Sequence, residues 1–165
     1  MDTSEFFKGL KVVELAGVLA GPAVGMFFAE LGAEVVKVEN KRTGGDVTRR
    51  WKLPTEAGDA PFSAYYASVN YGKQVLLLDL GEQTDREAVL ELIREADIVL
   101  SNFRPGSGEK LGMDYPSLRQ INPRLLYGQV NGFGADSRRP AFDVVLQAEA
   151  GFLYMTGPKD GAPAK

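Results

Sequence analysis

The sequence predicts an α/β fold, a Rossmann-like, doubly wound and mostly parallel sheet. Three observations predict it. Short apolar, β-branched runs recur along the chain, each leads into a segment of helical periodicity, and glycine or proline marks the transitions. At 165 residues the chain has the length of a single domain, with 44% hydrophobic and 25% charged residues. A domain of this size buries about 70% of its unfolded surface, so a genuine core is expected.

The elements follow in order. LKVVELA (Leu10 to Ala16) reads as a buried parallel strand, and Pro22 stands where a helix starts, since it has no N–H to leave unpaired. That helix runs from Ala23 to Leu31 and stops at Gly32; AEVVKVE is the second strand. A charged, glycine-containing loop (40–60) precedes PFSAYYASVNYGK, where Phe62, Tyr65, Tyr66 and Val69 recur at helical spacing, a stripe that reads as core before cofactor contact. QVLLLDL (Gln74 to Leu80) is the third strand. TDREAVLELIREAD opens with the Thr84 and Glu87 spacing of a capping box and presents Val89, Leu92, Ile93 and Ala96 on one face. IVLSN is the fourth strand, Pro116 begins a short helix, RLLYGQVNGFG is the fifth strand, and AFDVVLQAEAGFLYMTG is a helix running into a turn. The tail GPKDGAPAK is turn and coil. In such a sheet, ligands bind at the carboxyl ends of the strands.

Composition removes several classes of chemistry. The chain has no cysteine and no histidine, which excludes disulfides, thiolate metal sites, cysteine nucleophiles and Ser-His triads, and leaves carboxylates, lysines, tyrosines and hydroxyls for any catalysis. With 19 basic and 22 acidic residues the net charge is -3, so nothing global points to nucleic acid or an anionic membrane. The N-terminal MDTSEFFKGLK lacks the pattern of a signal peptide, and no window approaches the ~20 apolar residues of a membrane span. Cytoplasm is the expected compartment.

Local motifs each admit two readings. Gly17, Gly21 and Gly25 are spaced by four, so they fail the G-x-G-x-x-G fingerprint of dinucleotide sites, although Glu39 ends the second strand as a ribose-binding acid would. Lys41, Arg42, Arg49, Arg50 and Lys52 form either a phosphate-holding cluster or a solvated loop neutralised in part by Glu39, Asp46 and Glu56. SNFRPG (Ser101 to Gly106) follows the fourth strand, at the ligand edge of the sheet, or is a plain Pro-Gly turn. Asp143 heads a helix, where its charge either complements the dipole or orients a reacting group.

Seven blocks in sequence resemble the family III CoA-transferases, the group that includes formyl-CoA transferase, the carnitine CoA-transferases and the α-methylacyl-CoA racemases. They are GLKVVELAGVLAGP, LGAEVVKVE, GGDVTR, NYGKQVLLLDL, ADIVLSNFRPG, LGMDYPSLRQINPRLLYGQVNGFG and FDVVLQAEAGFLYMTG, and they span nearly the whole chain. The resemblance implies that residues 1–165 are a single Rossmann-like, CoA-binding segment, the N-terminal portion of the large domain of a longer protein. It also implies a small domain and a return segment that these residues do not include, and an interlocked homodimer in the full-length protein. The implied reaction moves CoA between an acyl-CoA and a free carboxylic acid, without a metal, through an aspartyl-CoA thioester; a carboxylate suits this because it can be acylated and released in two easier steps.

Site residues carry over by position. Leu19 and Ala20, before Gly21-Pro22, correspond to the thioester end of CoA, though many relatives have a polar residue at the former. Asn40 stands where an arginine is common, with Lys41 and Arg42 as substitutes. Leu78 and Asp79 correspond to the adenosine contact, Asn102, Phe103 and Arg104 to the nucleotide segment, and Lys110 and Arg139 to phosphate or CoA contacts. Asp143 corresponds to a supporting active-site acid. The nucleophilic aspartate is expected just after the TGPKDGAPAK turn, past residue 165, so the isolated chain is expected to be inactive. Phe142 replaces the histidine that the racemases carry, which disfavours an acyl-CoA racemase; an isomerase and a non-catalytic CoA-binding or assembly subunit remain as alternatives.

Overall fold

The structure, a computed structural model, describes residues 5–134 and 136–164. These fall into two compact units, Met1–Val130 and Asn131–Lys165.

The first unit holds a five-stranded sheet in the order β3-β2-β1-β4-β5, with every pairing parallel. The strands are β1 (Lys11–Leu15), β2 (Glu34–Asn40), β3 (Gln74–Leu78), β4 (Ile98–Ser101) and β5 (Leu126–Gln129). The order reverses between β1 and β4, which opens a crevice at their carboxyl ends where two loops diverge. The connecting helices are α1 (Ala20–Glu30), α2 (Ala64–Asn70), α3 (Gln83–Glu95), α4 (Ser107–Leu111) and α5 (Tyr115–Ile121). α1 packs with α2, and α3 with α5.

Strand alternation divides the core in two. Val13, Leu15 and Val99 pack with Val89, Ile93, Met113 and Leu118 in one cluster, while Val12, Val35 and Leu100 pack with Ala33 in another that Phe7 and Phe28 flank. The α1 and α2 face also carries charge. Glu14 and Lys37 are fully buried and Glu39 nearly so, at 0%, 0% and 4% exposure.

Several elements depart from the sequence expectations. α1 begins two residues before Pro22, because the turn Ala23 N–H to Leu19 carbonyl (2.8 Å) already closes there. The capping box at Thr84 does not form: the helix starts at Gln83 after Glu82, and Asp85 instead accepts the Asp79 N–H at 2.7 Å. α4, not expected from the sequence, is bounded by Gly106 and Gly112, both with positive φ. β5 is only four residues, Leu126–Gln129, and NGFG beyond Val130 is irregular, with bends at Gly132 and Phe133. In the second unit the expected helix is split into α6 (Asp143–Glu149) and α7 (Phe152–Met155), because Gly151 adopts φ 80 between them.

Candidate functional site

A cleft of about 350 Å³ opens at the carboxyl ends of β1, β2, β3 and β4. Its walls come from the loops that leave those strands, including Gly17 and Val18, Asn40, Asp46, Leu78 and Asp79, and Asn102 and Phe103.

The β1 to α1 loop is held closely against the sheet. A Cβ on Gly21 would lie 2.4 Å from the Cβ of Ala16, and one on Gly25 would lie 1.8 Å from Oε2 of Glu14. These two glycines therefore serve close helix-to-strand packing, which explains why their spacing does not follow a dinucleotide fingerprint. Val18 has φ 70, a conformation that costs a β-branched residue roughly 1–3 kcal/mol. The surroundings supply the compensation. Gly17 N–H donates to Oδ1 of Asn102 at 3.0 Å and its carbonyl accepts from Nδ2 at 2.7 Å, while Val18 N–H donates to Asp46 at 3.0 Å.

Behind the loop lies a buried ion cluster. Lys37 Nζ donates to Oε1 of Glu14 at 2.8 Å and to the Ala16 carbonyl at 2.6 Å, and sits 3.3 Å from Asp46 Oδ2. Lys73 Nζ reaches the other Glu14 oxygen at 2.7 Å. Burial lowers the Lys73 pKa against the opposing pull of Glu14. Burial likewise works against ionising Asp46, but the Thr48 N–H and hydroxyl, Lys37 and the Val18 N–H outweigh it and hold the carboxyl below the usual range.

A second network anchors the loop after β2. Glu39 accepts from Asp46 N–H at 2.8 Å and from Nε of Arg49 at 2.7 Å, and Tyr66 also donates to it. Burial opposes its charge, yet these donors keep its pKa low, and the same burial beside Glu39 pushes the Tyr66 hydroxyl up. Gly45, at φ 94, is required here: a Cβ would fall 2.4 Å from Oε2 of Glu39. Glu39 is thus a structural anchor for the loop.

The basic loop cluster is distributed among separate tasks. Arg49 binds Glu39, Arg50 donates to the Thr43 carbonyl, Lys52 donates to three carbonyls and Lys41 pairs with Asp85. Arg42 stays exposed, with Nε 3.6 Å from Asp79 on the cleft wall.

Of the residues singled out from the sequence, Asn40, Leu78, Asp79, Asn102 and Phe103 line the cleft. Leu19 and Ala20 follow Val18 directly and open α1, both exposed. Arg104 lines a separate depression of about 150 Å³ with Phe103, and Lys110 is exposed on α4. Asn40 spends its side chain on the Arg42 N–H, capping the turn Lys41–Thr43. Arg139 and Asp143 belong to the second unit. There Arg139 pairs with Glu149 and stacks 3.9 Å over the Phe133 ring, and Asp143 opens α6 and accepts from Gln147.

Sequence reasoning did not single out Asp46, Lys37, Lys73 or Tyr66 as parts of the site. The available signal was Lys37 within an otherwise apolar strand run, and the acid of GGDVTR directly after a glycine pair. Among the described residues, no group of three or more acidic side chains is arranged to hold a metal ion, and no helix is long and apolar enough to cross a membrane.

An all-parallel sheet in the order β3-β2-β1-β4-β5, with a cleft at its strand-order reversal, defines a Rossmann-like α/β fold. Residues 7–165 match the family model of CoA-transferase family III, and the chain belongs to that family, a family of enzymes. It is 44% identical over 165 residues to a succinyl-CoA:mesaconate CoA-transferase of Haloarcula hispanica, covering 94% of this chain and 41% of that relative. It is 42% identical over 163 residues to a succinate–glutarate CoA-transferase of Agrobacterium fabrum, covering 95% and 40%. The fold matches a crystal structure of a CAIB/BAIF family protein from Brucella suis with TM-score 0.86 at 40% identity, covering 96% of this chain and 43% of that one. The chain therefore spans about two fifths of the length of these relatives.

Proposed function

We propose that the protein carrying this chain moves CoA between an acyl-CoA and a free carboxylic acid, and that the cleft at the strand ends holds the CoA. The observation that carries this reading is the convergence of Asn40, Leu78, Asp79, Asn102 and Phe103, from three different strand ends, on one cleft. The names of the relatives support small dicarboxylates, such as succinate and glutarate, as the acids exchanged.

In the proposed chemistry an aspartate outside these 165 residues attacks the acyl-CoA thioester. The carbon–sulfur bond breaks, giving an acyl-aspartyl anhydride and CoA thiolate. The thiolate then attacks the aspartyl carbonyl, forming the aspartyl-CoA thioester and releasing the first acid, and the second acid reverses the sequence. Holding CoA beside the anhydride makes its return intramolecular, which contributes ~7–11 kcal/mol in well-oriented systems. On this reading Leu19 and Ala20 sit near the thioester, Arg104 and Lys110 face phosphate, Arg139 adds a CoA contact, and Asp143 supports the reacting groups. Two copies of the full-length protein pair as a homodimer. Phe142 in place of a histidine favours transfer over racemisation.

The test is to incubate the full-length protein with succinyl-CoA and glutarate and to follow thioesters by mass spectrometry. Glutaryl-CoA and free succinate are expected. Absence of exchange with glutarate, mesaconate and oxalate alike contradicts the reading.

A further inference from the structure

Among the described residues, Val18 is the non-glycine with positive φ, and it lies on the wall of the cleft. Such strain persists where the surroundings over-determine it, and here they do so from two directions. Asn102, at the end of β4, spends its carboxamide oxygen on the Gly17 N–H and its nitrogen on the Gly17 carbonyl. Asp46, from the loop after β2, takes the Val18 N–H and is itself held by the Thr48 N–H and hydroxyl at 3.0 and 2.8 Å, with Lys37 at 3.3 Å. Both peptide groups that flank the Gly17 Cα are thereby fixed before α1 begins. Gly21 lets α1 start close against the end of β1, since a Cβ there would sit 2.4 Å from the Cβ of Ala16.

We propose that Asn102 and Asp46 are positioning residues: together they hold Gly17 and Val18 in the strained conformation that shapes this wall of the cleft, and Asn102 acts on CoA through this loop. The inference rests on the reading of the cleft as a CoA site. It differs from a direct nucleotide contact by Asn102, because a carboxamide turned with both its polar atoms toward one residue's backbone has its geometry set by that backbone.

A double-mutant cycle separates the two roles. In the full-length protein, Asn102→Ala is expected to weaken CoA binding, read by calorimetry, by about tenfold, and to speed amide hydrogen exchange at Gly17 and Val18 while core strand amides keep their protection. Val18→Gly removes the strain that the clamp maintains, because glycine takes φ near 70 without penalty. In the Val18→Gly background, Asn102→Ala is therefore expected to cost severalfold less affinity than in the wild type. An equal loss in both backgrounds overturns the positioning role in favour of direct contact. Unchanged exchange at Gly17 and Val18 in Asn102→Ala overturns it as well. Should that variant not fold, Asn102→Asp keeps an acceptor for the Gly17 N–H and sets an oxygen against its carbonyl. Faster exchange at Val18 is then expected, and wild-type protection overturns the proposal. Wild-type protein that binds no CoA refutes the reading of the cleft instead, and the exchange rates still decide whether the clamp exists.

Discussion

Lys37 Nζ lies 2.8 Å from Oε1 of Glu14, with both side chains fully withdrawn from solvent on adjacent strands. Glu14 also binds Lys73 through its other oxygen, so one carboxylate serves two buried cations. Breaking a buried pair from one side costs roughly 3–5 kcal/mol, because a charge is left without compensation.

The two partners are not equivalent. Lys37→Met leaves Glu14 paired with Lys73, whereas Glu14→Gln leaves Lys73 facing a neutral amide and Lys37 with Asp46 alone, at 3.3 Å. We expect Glu14→Gln to be the more destabilising by about 1 kcal/mol or more in urea unfolding, and a Glu14→Gln, Lys37→Met double variant to lose less than the summed single losses. Additive losses, or a reversed ranking, contradict this account of the cluster.

Stability is expected to fall in acid. Burial alone raises the pKa of Glu39 and Asp46, but their donors win and hold both below the usual carboxylate range. With folded pKa values depressed, the unfolded chain takes up protons first. Their contribution is full above the unfolded range and is lost as pH drops from about 5 through the lower folded values. Urea midpoints measured across this range are expected to decline, and Glu39→Gln is expected to flatten the decline. A midpoint independent of pH from about 6 to 3 contradicts it.

Gly25→Ala and Gly21→Ala are each expected to destabilise by at least ~1–3 kcal/mol in thermal or urea unfolding, through overpacking of α1 on β1. The added methyl would meet Glu14 Oε2 at 1.8 Å in the first and the Ala16 Cβ at 2.4 Å in the second. Gly9, where an added Cβ meets nothing within 4 Å, does not test the same contact because its φ is 84. Tolerance of Ala at position 25 contradicts the packing described.

Replacing both Arg104 and Lys110 by alanine is expected to weaken CoA by about tenfold or more, at ~1.5–3 kcal/mol per charge-assisted hydrogen bond. The loss is expected to be smaller for dephospho-CoA if these side chains meet its 3′-phosphate. Equal affinity of wild type and variant for CoA removes them from the site.

The sequence carried the sheet well, because each parallel strand is a short β-branched run and each helix has a marked start or stop. It carried the ligand edge for the same reason: Leu78, Asp79, Asn102 and Phe103 are the residues at which apolar runs give way to polar ones. The interior of the site was less legible. Lys37 and Glu39 alternate with Val36 and Val38, a pattern that ordinarily means a solvent-facing side, and only the covering α1 and α2 turn that side into a buried ion network. From the sequence, Asp46 and Arg49 read as members of a charged loop that either holds phosphate or is solvated. Their roles depend on Glu39 and Val18, seven or more residues away, and no local pattern encodes such pairings. Thr84 and Glu87 show the converse: a correct cap motif is displaced when Asp85 finds a better partner in the Asp79 N–H.

The central claim, that CoA occupies the cleft at the ends of β1 to β4, is tested most directly by titrating CoA into isotopically labelled protein and mapping amide shifts by NMR. Saturable shifts are predicted at Gly17, Val18, Asn40, Leu78, Asp79, Asn102 and Phe103. Absence of binding, or saturable shifts confined to residues away from that cleft, would contradict it.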